Sequence, residues 1–225
     1  MSEFSLVFDC PDFLIVNKAA GVLSQSSNDS GDKDLIHLVE QEYSNKLHLL
    51  TRLDRPVSGL CVFSKNSEFT KHFLEQQSSK KLTKKYLALV EAHLDLSNTI
   101  QTHYGKHNKK TKKMIIQDQK YASAKELSSR FNTLLKLDRY SLLEIEMNSG
   151  RFHQLRSQCA HLGHPIKGDV KYGARRSNKN RSIHLHSYEI RFMSRSLKEE
   201  VFQADLPKND DLWGLINEKL NRLNG

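Results

Sequence analysis

Short apolar runs separated by turn-forming residues predict the strands of the protein. The first two runs, Phe4–Asp9 and residues 13–17, flank a Pro-Asp pair, which predicts two strands joined by a tight turn. Similar runs rich in Val, Ile, Leu and aromatic residues predict further strands along the rest of the chain. These lie at residues 60–64, 86–90, 183–192 and 201–206, with several more between residues 121 and 147.

Four segments repeat their apolar residues at the three- and four-residue spacing of a helix. Asp34 and Asn66 stand where they can cap the first two helices, and the third covers residues 151–161 and ends before a Gly and a Pro. The apolar positions are, helix by helix, Leu35, Leu38 and Val39; Phe69, Phe73 and Leu74; Phe152, Leu155, Cys159 and Leu162; and Leu212, Trp213, Leu215, Ile216 and Leu220. Residues 21–33, rich in Ser, Asn, Asp and Gly, are predicted to form a loop.

The order of these elements predicts a single α+β domain. Strands and helices alternate without the regular rhythm of βαβ units, and neither a fixed-period repeat nor a long flexible linker divides the chain of 225 residues. The Gly-rich signatures of Rossmann and P-loop enzymes are absent from the sequence, which argues against a nucleotide-dependent enzyme of either type.

The charge of the chain suggests a polyanionic partner. There are 35 Lys and Arg against 26 Asp and Glu, a formal net charge of +9. Such a protein can bind nucleic acid or an anionic membrane by releasing counterions, although a merely basic soluble protein fits equally well. No apolar stretch approaches the roughly 20 residues of a membrane span, and the N-terminus does not resemble a secretory signal. We therefore expect a cytoplasmic protein that does not use a membrane.

Residues 105–113 form a concentrated basic segment without apolar periodicity, for which we expect a loop. A solvated charged surface and a loop that contacts phosphates are equally good interpretations. Its candidate phosphate contacts are Lys109, Lys110, Lys112 and Lys113.

The three cysteines, Cys10, Cys61 and Cys159, are odd in number and widely spaced. They match neither a disulfide framework nor a Cys-x-x-Cys metal site. Buried free thiols in a reducing compartment are the expectation.

Asp54 is the carboxylate whose neighbours make it the main candidate for a catalytic group. It lies between Arg52 and Arg55, and Pro56 and Gly59 after it predict a turn that leads into a strand. The neighbouring guanidinium groups favour its charged form, which can act as a nucleophile or a base. From spacing alone, however, an ordinary ion pair or a turn-capping carboxylate is the better interpretation.

A resemblance to a known family changes that balance. Residues 52–60, RLDRPVSGL, resemble the active-site motif of the RluA-type pseudouridine synthases. Three more segments resemble family motifs in the family's order: residues 14–21, residues 84–90 (KKYLALV) and residues 150–169, which begin GRFHQLR. With the following strand, the resemblance covers residues 14 to about 192.

The resemblance implies a role for each matching residue. Asp54 is the implied catalytic aspartate, Tyr86 the tyrosine that packs on the target base and a candidate for proton transfer, and Arg156 the arginine that pairs with the aspartate. Arg52 is implied to enter the RNA stack in place of the extruded nucleotide, and Leu185 to line the pocket. Further expected substrate contacts are Arg55, Arg151, His153 and Gln154, beside the four lysines.

The resemblance also implies a fold and a reaction. The fold is a mixed, mainly antiparallel sheet flanked by helices, formed by one catalytic domain over residues 1–225 without a separate N-terminal RNA-binding domain. The reaction isomerises a specific uridine of structured RNA, either tRNA or large-subunit rRNA, after the base has been flipped out of its stack. It requires no redox step, phosphate activation or metal, so neither cofactor nor metal is expected. We also expect a monomer.

Two departures from the family pattern and two alternatives remain. Thr51 stands where the family usually has His, and Ala19 where it usually has Pro, so the RNA contacts at Thr51 can differ. One alternative is a non-catalytic RNA-binding or ribosome-assembly protein that keeps the fold. The other is a metal-dependent hydrolase that combines Asp54 with histidines, either His153, His161 and His164 or His184 and His186.

Overall fold

The computed structural model describes residues 2–26, 34–43, 46–148, 150–195, 198–208 and 210–224. The strands are β1 Phe4–Asp9, β2 Phe13–Lys18, β3 His48–Leu49, β4 Ser58–Ser64, β5 Thr83–Glu91, β6 Thr99–Asn108, β7 Lys113–Gln117, β8 Lys125–Lys136, β9 Tyr140–Met147, β10 Leu185–Met193 and β11 Glu199–Gln203. The helices are α1 Leu35–Tyr43, α2 Ser67–Ser78, α3 Gln154–His161 and α4 Asp211–Asn224, with a 3-10 turn at Val170–Tyr172.

The strands form one sheet in the order β1-β2-β4-β10-β5-β9-β8-β6-β7, with β3 paired to β4 and β11 paired to β10. Among the described strands β4 and β10 pair in parallel, and the other neighbours pair antiparallel. The predicted α+β fold with a mixed, mainly antiparallel sheet is therefore confirmed.

Helices cover both faces of the sheet, as the alternation of residues along the central strands requires. On β5, Tyr86 and Ala88 join the apolar cluster beneath α1 and α3, whereas Leu87 and Leu89 point to the other face and pack against Trp213 of α4. Helix α2 packs on that second face through a separate aromatic cluster that includes residues of β2, β4 and β10. Both faces of β5 are thus buried, and this strand sits in the middle of the fold.

The predicted helix caps of α1 and α2 are confirmed. The Asn66 carboxamide oxygen accepts a hydrogen bond from the Phe69 N–H at 2.8 Å, and the Asp34 carboxylate accepts one from the His37 N–H at 3.0 Å. The predicted loop 21–33 is described only up to residue 26, where it contains no helix or strand, and its remainder lies outside the described residues.

The predicted third helix begins later than the sequence suggested. It starts at Gln154 rather than at residue 151, because His153 adopts a left-handed backbone conformation with φ 52° that interrupts a right-handed helix. Phe152, expected on the apolar face of that helix, is therefore largely exposed, as are Leu74 of α2 and Leu215 of α4.

The basic segment 105–113 is a hairpin rather than a loop. Gly105 through Asn108 belong to β6 and pair with β7 in the register Gly105↔Ile116 to Asn108↔Lys113, and residues 109–112 form the turn. The sequence conceals these strands because β7 is the edge strand and residues 106–108 of β6 extend beyond β8, so charged residues facing solvent replace the apolar alternation. The concentrated positive charge is therefore carried by a hairpin with a defined structure.

Within the described part of the chain, no helix is both long and apolar enough to cross a bilayer. Cys61 and Cys159 are buried free thiols, as expected, whereas Cys10 is half-buried.

Candidate active site

A cleft of about 990 Å³ opens on the α3 side of the central strands. The register brings three strands together at its floor: Ser187 of β10 pairs with Gly59 of β4 on one side and with Tyr86 of β5 on the other. Gly59 has φ +119°, and a Cβ there would lie 2.2 Å from the Ser187 carbonyl oxygen. Only glycine allows β4 and β10 to approach this closely, and the loop before β4 therefore reaches the cleft.

That loop carries Asp54 and is held from two sides. Its own turn is closed by a hydrogen bond from the Val57 N–H to the Asp54 carbonyl oxygen at 3.0 Å. The Ser24 hydroxyl donates to the Leu53 carbonyl oxygen at 2.7 Å and accepts from the Leu53 N–H at 3.0 Å. The predicted turn is therefore confirmed, and it is pinned against the segment that follows β2.

Lys18 also stabilises the segment that follows β2. Its side chain is buried, and its ammonium group donates to the carbonyl oxygens of Ala19 and Val22, each at 2.9 Å. Burial lowers the pKa of Lys18 to about 8, while the negative charge of Asp54 opposes that shift. Lys18, which belongs to the matching segment 14–21, thus has a structural role beside the Asp54 loop.

The Asp54 carboxylate faces the cleft with one oxygen engaged and one open. Arg156 Nη1 donates to Oδ2 at 2.9 Å, and His153 Nε2 lies 3.5 Å from the same oxygen. Among the described residues none donates a hydrogen bond to Oδ1, and the side chain remains 27 % exposed. The predicted pairing of Asp54 with Arg156 is present, and Oδ1 is available to a substrate.

Arg156 is fixed by a second carboxylate. Its Nε and Nη2 donate to the two oxygens of Asp169 at 2.6 and 2.8 Å, a bidentate pair in which both side chains are buried. Burial alone would lower the pKa of Arg156, but the hydrogen bonds and charge of Asp169, together with Asp54, outweigh it and raise the pKa. Arg156 is therefore a permanent cation that holds Asp54 in one orientation.

The apolar wall of the cleft is formed by predicted residues. Tyr86 and Leu185 are both buried and both line it. Burial raises the pKa of the Tyr86 hydroxyl well above its ordinary value, with a smaller opposing effect from its hydrogen bond with Ser187. Tyr86 is therefore a neutral phenol whose ring can pack against a flat base.

Lys84, two residues before Tyr86, also lines the cleft, although it was not predicted as a site residue. Its side chain is buried and forms no hydrogen bond or ion pair with another described residue, and burial lowers its pKa to about 8. A Cβ at Gly150 would lie 3.2 Å from its ammonium nitrogen. A positive charge thus faces the cleft without a protein counterion in the described ranges.

The remaining predicted contacts divide into two groups. Arg52 and Arg151 are exposed at the cleft and can reach an RNA backbone. Arg55 lines the cleft as well, but its Nε donates to the Gly21 carbonyl oxygen at 2.9 Å. Gln154 is buried, and its amide nitrogen donates to the Ser129 hydroxyl at 3.1 Å. Arg55 and Gln154 are therefore engaged in holding the walls.

The four predicted lysines lie on the β6–β7 hairpin beside the cleft. Lys109, Lys110 and Lys112 are exposed at its turn, whereas Lys113 is half-buried with its ammonium group 6.0 Å from the ring centroid of Tyr172. His107 of the same hairpin packs against Phe152, with ring centroids 4.3 Å apart. The hairpin is thus attached to the rim of the cleft.

The histidines considered as metal ligands do not converge on Asp54, apart from His153. His161 Nε2 lies 2.7 Å from Asp118, His164 Nδ1 2.9 Å from the Glu91 carbonyl oxygen, His184 Nε2 3.0 Å from Asp210, and His186 Nδ1 2.8 Å from the Ser58 hydroxyl. The carboxylates of Asp118 and Asp210 come from distant parts of the chain, which is why their spacing in the sequence did not reveal them.

Within the described ranges, one group has the spacing of metal ligands: His103, Asp118 and His161, whose donor atoms lie within 4.8 Å of one another. The Gln158 amide nitrogen lies 3.3 Å from His103 Nδ1 and also donates to the Leu127 carbonyl oxygen at 3.2 Å. The same amide nitrogen donates to the Gln101 carbonyl oxygen at 3.3 Å, so two carbonyl oxygens share its two hydrogens, and His161 Nε2 is paired directly with the Asp118 carboxylate at 2.7 Å. The arrangement favours a hydrogen-bonded cluster.

An open carboxylate oxygen, a fixed arginine, a buried tyrosine and the basic residues beside the cleft are compatible with an enzyme that modifies a base of a nucleic acid. Residues 12–161 match the family described as RNA pseudouridylate synthase, and the chain belongs to this family. It is therefore an isomerase that acts on uridine in RNA.

Relatives of the chain carry consistent names. It is 28 % identical to tRNA pseudouridine synthase C of Vibrio parahaemolyticus, over 94 % of this chain and 92 % of that protein. It is 32 % identical to ribosomal large subunit pseudouridine synthase C of Buchnera aphidicola, over 84 % of this chain and 62 % of that protein. In fold it is similar to human RNA pseudouridylate synthase domain containing 1, with a TM-score of 0.78, 24 % identity and coverage of 92 % and 86 % of the two chains.

Proposed function

We propose that this protein isomerises a specific uridine of a structured tRNA or large-subunit rRNA, with Asp54 as the catalytic residue. The observation that carries the proposal is the Asp54 carboxylate, whose Oδ2 is held by Arg156 while Oδ1 is open to the cleft. The names of the relatives support the two RNA classes, since one is a tRNA enzyme and the other an enzyme of the large ribosomal subunit.

The reaction conserves the composition of the nucleotide. The bond between N1 of uracil and C1′ of the ribose breaks, C1′ bonds to C5 of the same base, the proton on C5 leaves to solvent, and N1 gains a proton. Asp54 acts at the first step, where its open Oδ1 faces the reacting nucleotide and promotes detachment of uracil. Arg156 holds that carboxylate in one rotamer through its hydrogen bond to Oδ2.

The walls of the cleft hold the base while it rotates. Unstacking a base costs a few kcal/mol, and stacking on an aromatic ring such as Tyr86 returns roughly 1–3 kcal/mol. Leu185 closes the apolar wall. Arg52, exposed at the entrance, can enter the gap that the flipped nucleotide leaves in the RNA.

The basic residues beside the cleft are proposed to select the RNA. Arg151 lies at the cleft and the exposed lysines of the β6–β7 hairpin lie beside it. There they can neutralise phosphates of a folded RNA. Thr51 is buried at the lining of the cleft, and its hydroxyl accepts a hydrogen bond from the Val62 N–H at 2.9 Å. We further infer that residues 1–225 act as one catalytic domain, as a monomer and in the cytoplasm.

Tritium release tests the proposal. RNA transcribed with uridine tritiated at C5 releases tritium to water whenever C5 becomes the glycosidic carbon. We expect release from a tRNA pool or from large-subunit rRNA transcripts, and none from the same RNA incubated with heat-denatured protein. Absence of release from every RNA fraction would refute the enzymatic proposal and leave the RNA-binding alternative. Mapping pseudouridine in total RNA of cells lacking the protein then identifies the position.

A further inference from the structure

His153 occupies an unusual place beside the catalytic carboxylate. Its left-handed backbone directs the imidazole into the cleft rather than along α3. The ring stacks on Phe152 with centroids 3.8 Å apart and meets Tyr172 edge-on at 5.5 Å. A non-glycine residue in this conformation requires support from its surroundings, and here both flanking rings supply it.

A chain of hydrogen bonds determines which imidazole nitrogen carries the proton. The Met114 N–H can only donate, and it lies 2.8 Å from the Tyr172 hydroxyl oxygen. That oxygen therefore accepts from Met114, and among the described residues the one acceptor within hydrogen-bond distance of the hydroxyl proton is His153 Nδ1, 2.9 Å away. Nδ1 must then be unprotonated, which places the proton of a neutral imidazole on Nε2.

The electrostatic surroundings keep the imidazole neutral. Burial, with the nearby charges of Arg156 and Lys171, lowers the pKa of His153 to about 3, although the charge of Asp169 opposes the shift. The ring therefore has a single proton at neutral pH, and Nε2 lies 3.5 Å from Asp54 Oδ2, an electrostatic contact longer than an ordinary hydrogen bond.

We propose that Tyr172 is a positioning residue that locks His153 in the Nε2–H tautomer, so that His153 and Arg156 together hold Asp54 Oδ2 and leave Oδ1 free to react. The opposite tautomer would turn a lone pair toward the carboxylate and repel it. Since Met114 belongs to β7, the lock also ties the Asp54 carboxylate to the position of the basic hairpin. The catalytic consequence rests on the proposed function; the tautomer itself does not.

Nuclear magnetic resonance of the free protein tests the tautomer without RNA. In protein labelled with ¹⁵N histidine, and with His153→Gln used to assign the signal, we expect the His153 ring to show an unprotonated Nδ1 and a protonated Nε2 at pH 7.5. A protonated Nδ1 in the wild-type protein would overturn the inference, whether or not the enzyme is active on RNA.

A double-mutant cycle tests the catalytic consequence. Tyr172→Phe keeps the ring and removes the hydroxyl, and we expect kcat to fall about ten-fold, the equivalent of one hydrogen bond of roughly 1.4 kcal/mol, with little change in KM. In the His153→Phe background the same change should have no further effect, whereas His153→Gln, which retains an N–H donor, should recover part of kcat. Equal losses from Tyr172→Phe in both backgrounds would show that the hydroxyl does not act through His153.

Tyr121→Phe is the matched control. The Tyr121 hydroxyl donates to the Ile115 carbonyl oxygen at 3.0 Å, so it also binds the backbone of β7, but it does not contact the cleft. We expect wild-type kcat from this variant and similar thermal unfolding of both tyrosine variants. An equal loss of kcat in Tyr121→Phe would mean that hairpin attachment, rather than the tautomer, matters, and would overturn the inference.

Discussion

The two carboxylates that contact Arg156 have different environments, and their removal should have different consequences for folding. Asp169 is 2 % exposed and binds Nε and Nη2 of Arg156 at 2.6 and 2.8 Å. Asp54 is 27 % exposed and receives one hydrogen bond from Arg156 at 2.9 Å. Asp169→Asn thus leaves a buried guanidinium without its main counterion, whereas Asp54→Asn removes a partly solvated partner.

The expected magnitudes follow from burial. Breaking a buried ion pair costs about 3–5 kcal/mol, while the loss of a partly exposed one costs about 0–1 kcal/mol. For a chain of this size 1 kcal/mol shifts the melting temperature by about 2–4 °C. Asp169→Asn should therefore melt about 10 °C below the wild type, and Asp54→Asn within roughly 4 °C of it.

Thermal and urea unfolding followed by circular dichroism measure both variants, with Asp95→Asn as a control because Asp95 is 75 % exposed. The reasoning about the Arg156 network would be wrong if Asp54→Asn destabilised the fold as much as Asp169→Asn. It would equally be wrong if Asp169→Asn unfolded at the wild-type temperature.

Three further predictions concern charge. Changing Lys109, Lys110 and Lys112 together to Gln should weaken RNA binding and flatten its salt dependence, since each lost phosphate contact reduces the slope by about 0.7–0.9. The control changes Lys71, Lys198 and Lys219, which are exposed but do not line the cleft. An unchanged slope, or an equal effect from the control, would exclude the hairpin as the phosphate contact. Lys84→Met should stabilise the fold at pH 7 by up to about 3 kcal/mol, because burial lowers the pKa of Lys84 to about 8, and its activity should fall. A variant that is destabilised in urea, or that releases tritium at the wild-type rate, would contradict this. Burial lowers the pKa of His186 from 6.5 to about 4, so the unfolded chain takes up the proton first as pH falls. About 3 kcal/mol of stability should therefore be lost between pH 6.5 and pH 4. Urea midpoints that stay constant over this range would count against this prediction.

Local sequence patterns predicted the parts of the fold that depend on local physics. The Asn66 cap, the strand runs and the turn at Asp54 were correct because cap geometry and backbone preferences act within a few residues. Strands β6 and β7 were missed because β7 is the edge strand and the end of β6 extends beyond β8, so solvent-facing charged residues leave no apolar alternation to detect.

The site was predictable only in part for a related reason. Asp54, Tyr86 and Arg156 were identified from motifs, whereas spacing alone favoured an ordinary ion pair. The link from Met114 through Tyr172 to His153 joins residues up to 58 positions apart, and no linear pattern expresses it. Lys84 was overlooked although it stands in a recognised segment, because burial of its ammonium group becomes visible only in the folded chain.

Tritium release by Asp54→Asn is the most direct measurement of the central claim. The amide keeps the shape of the side chain but cannot do the chemistry of a carboxylate, so a folded variant should bind RNA within a few-fold of the wild type and release no tritium from uridine tritiated at C5. Turnover by Asp54→Asn at a rate comparable to that of the wild type would contradict the assignment of Asp54 as the catalytic residue.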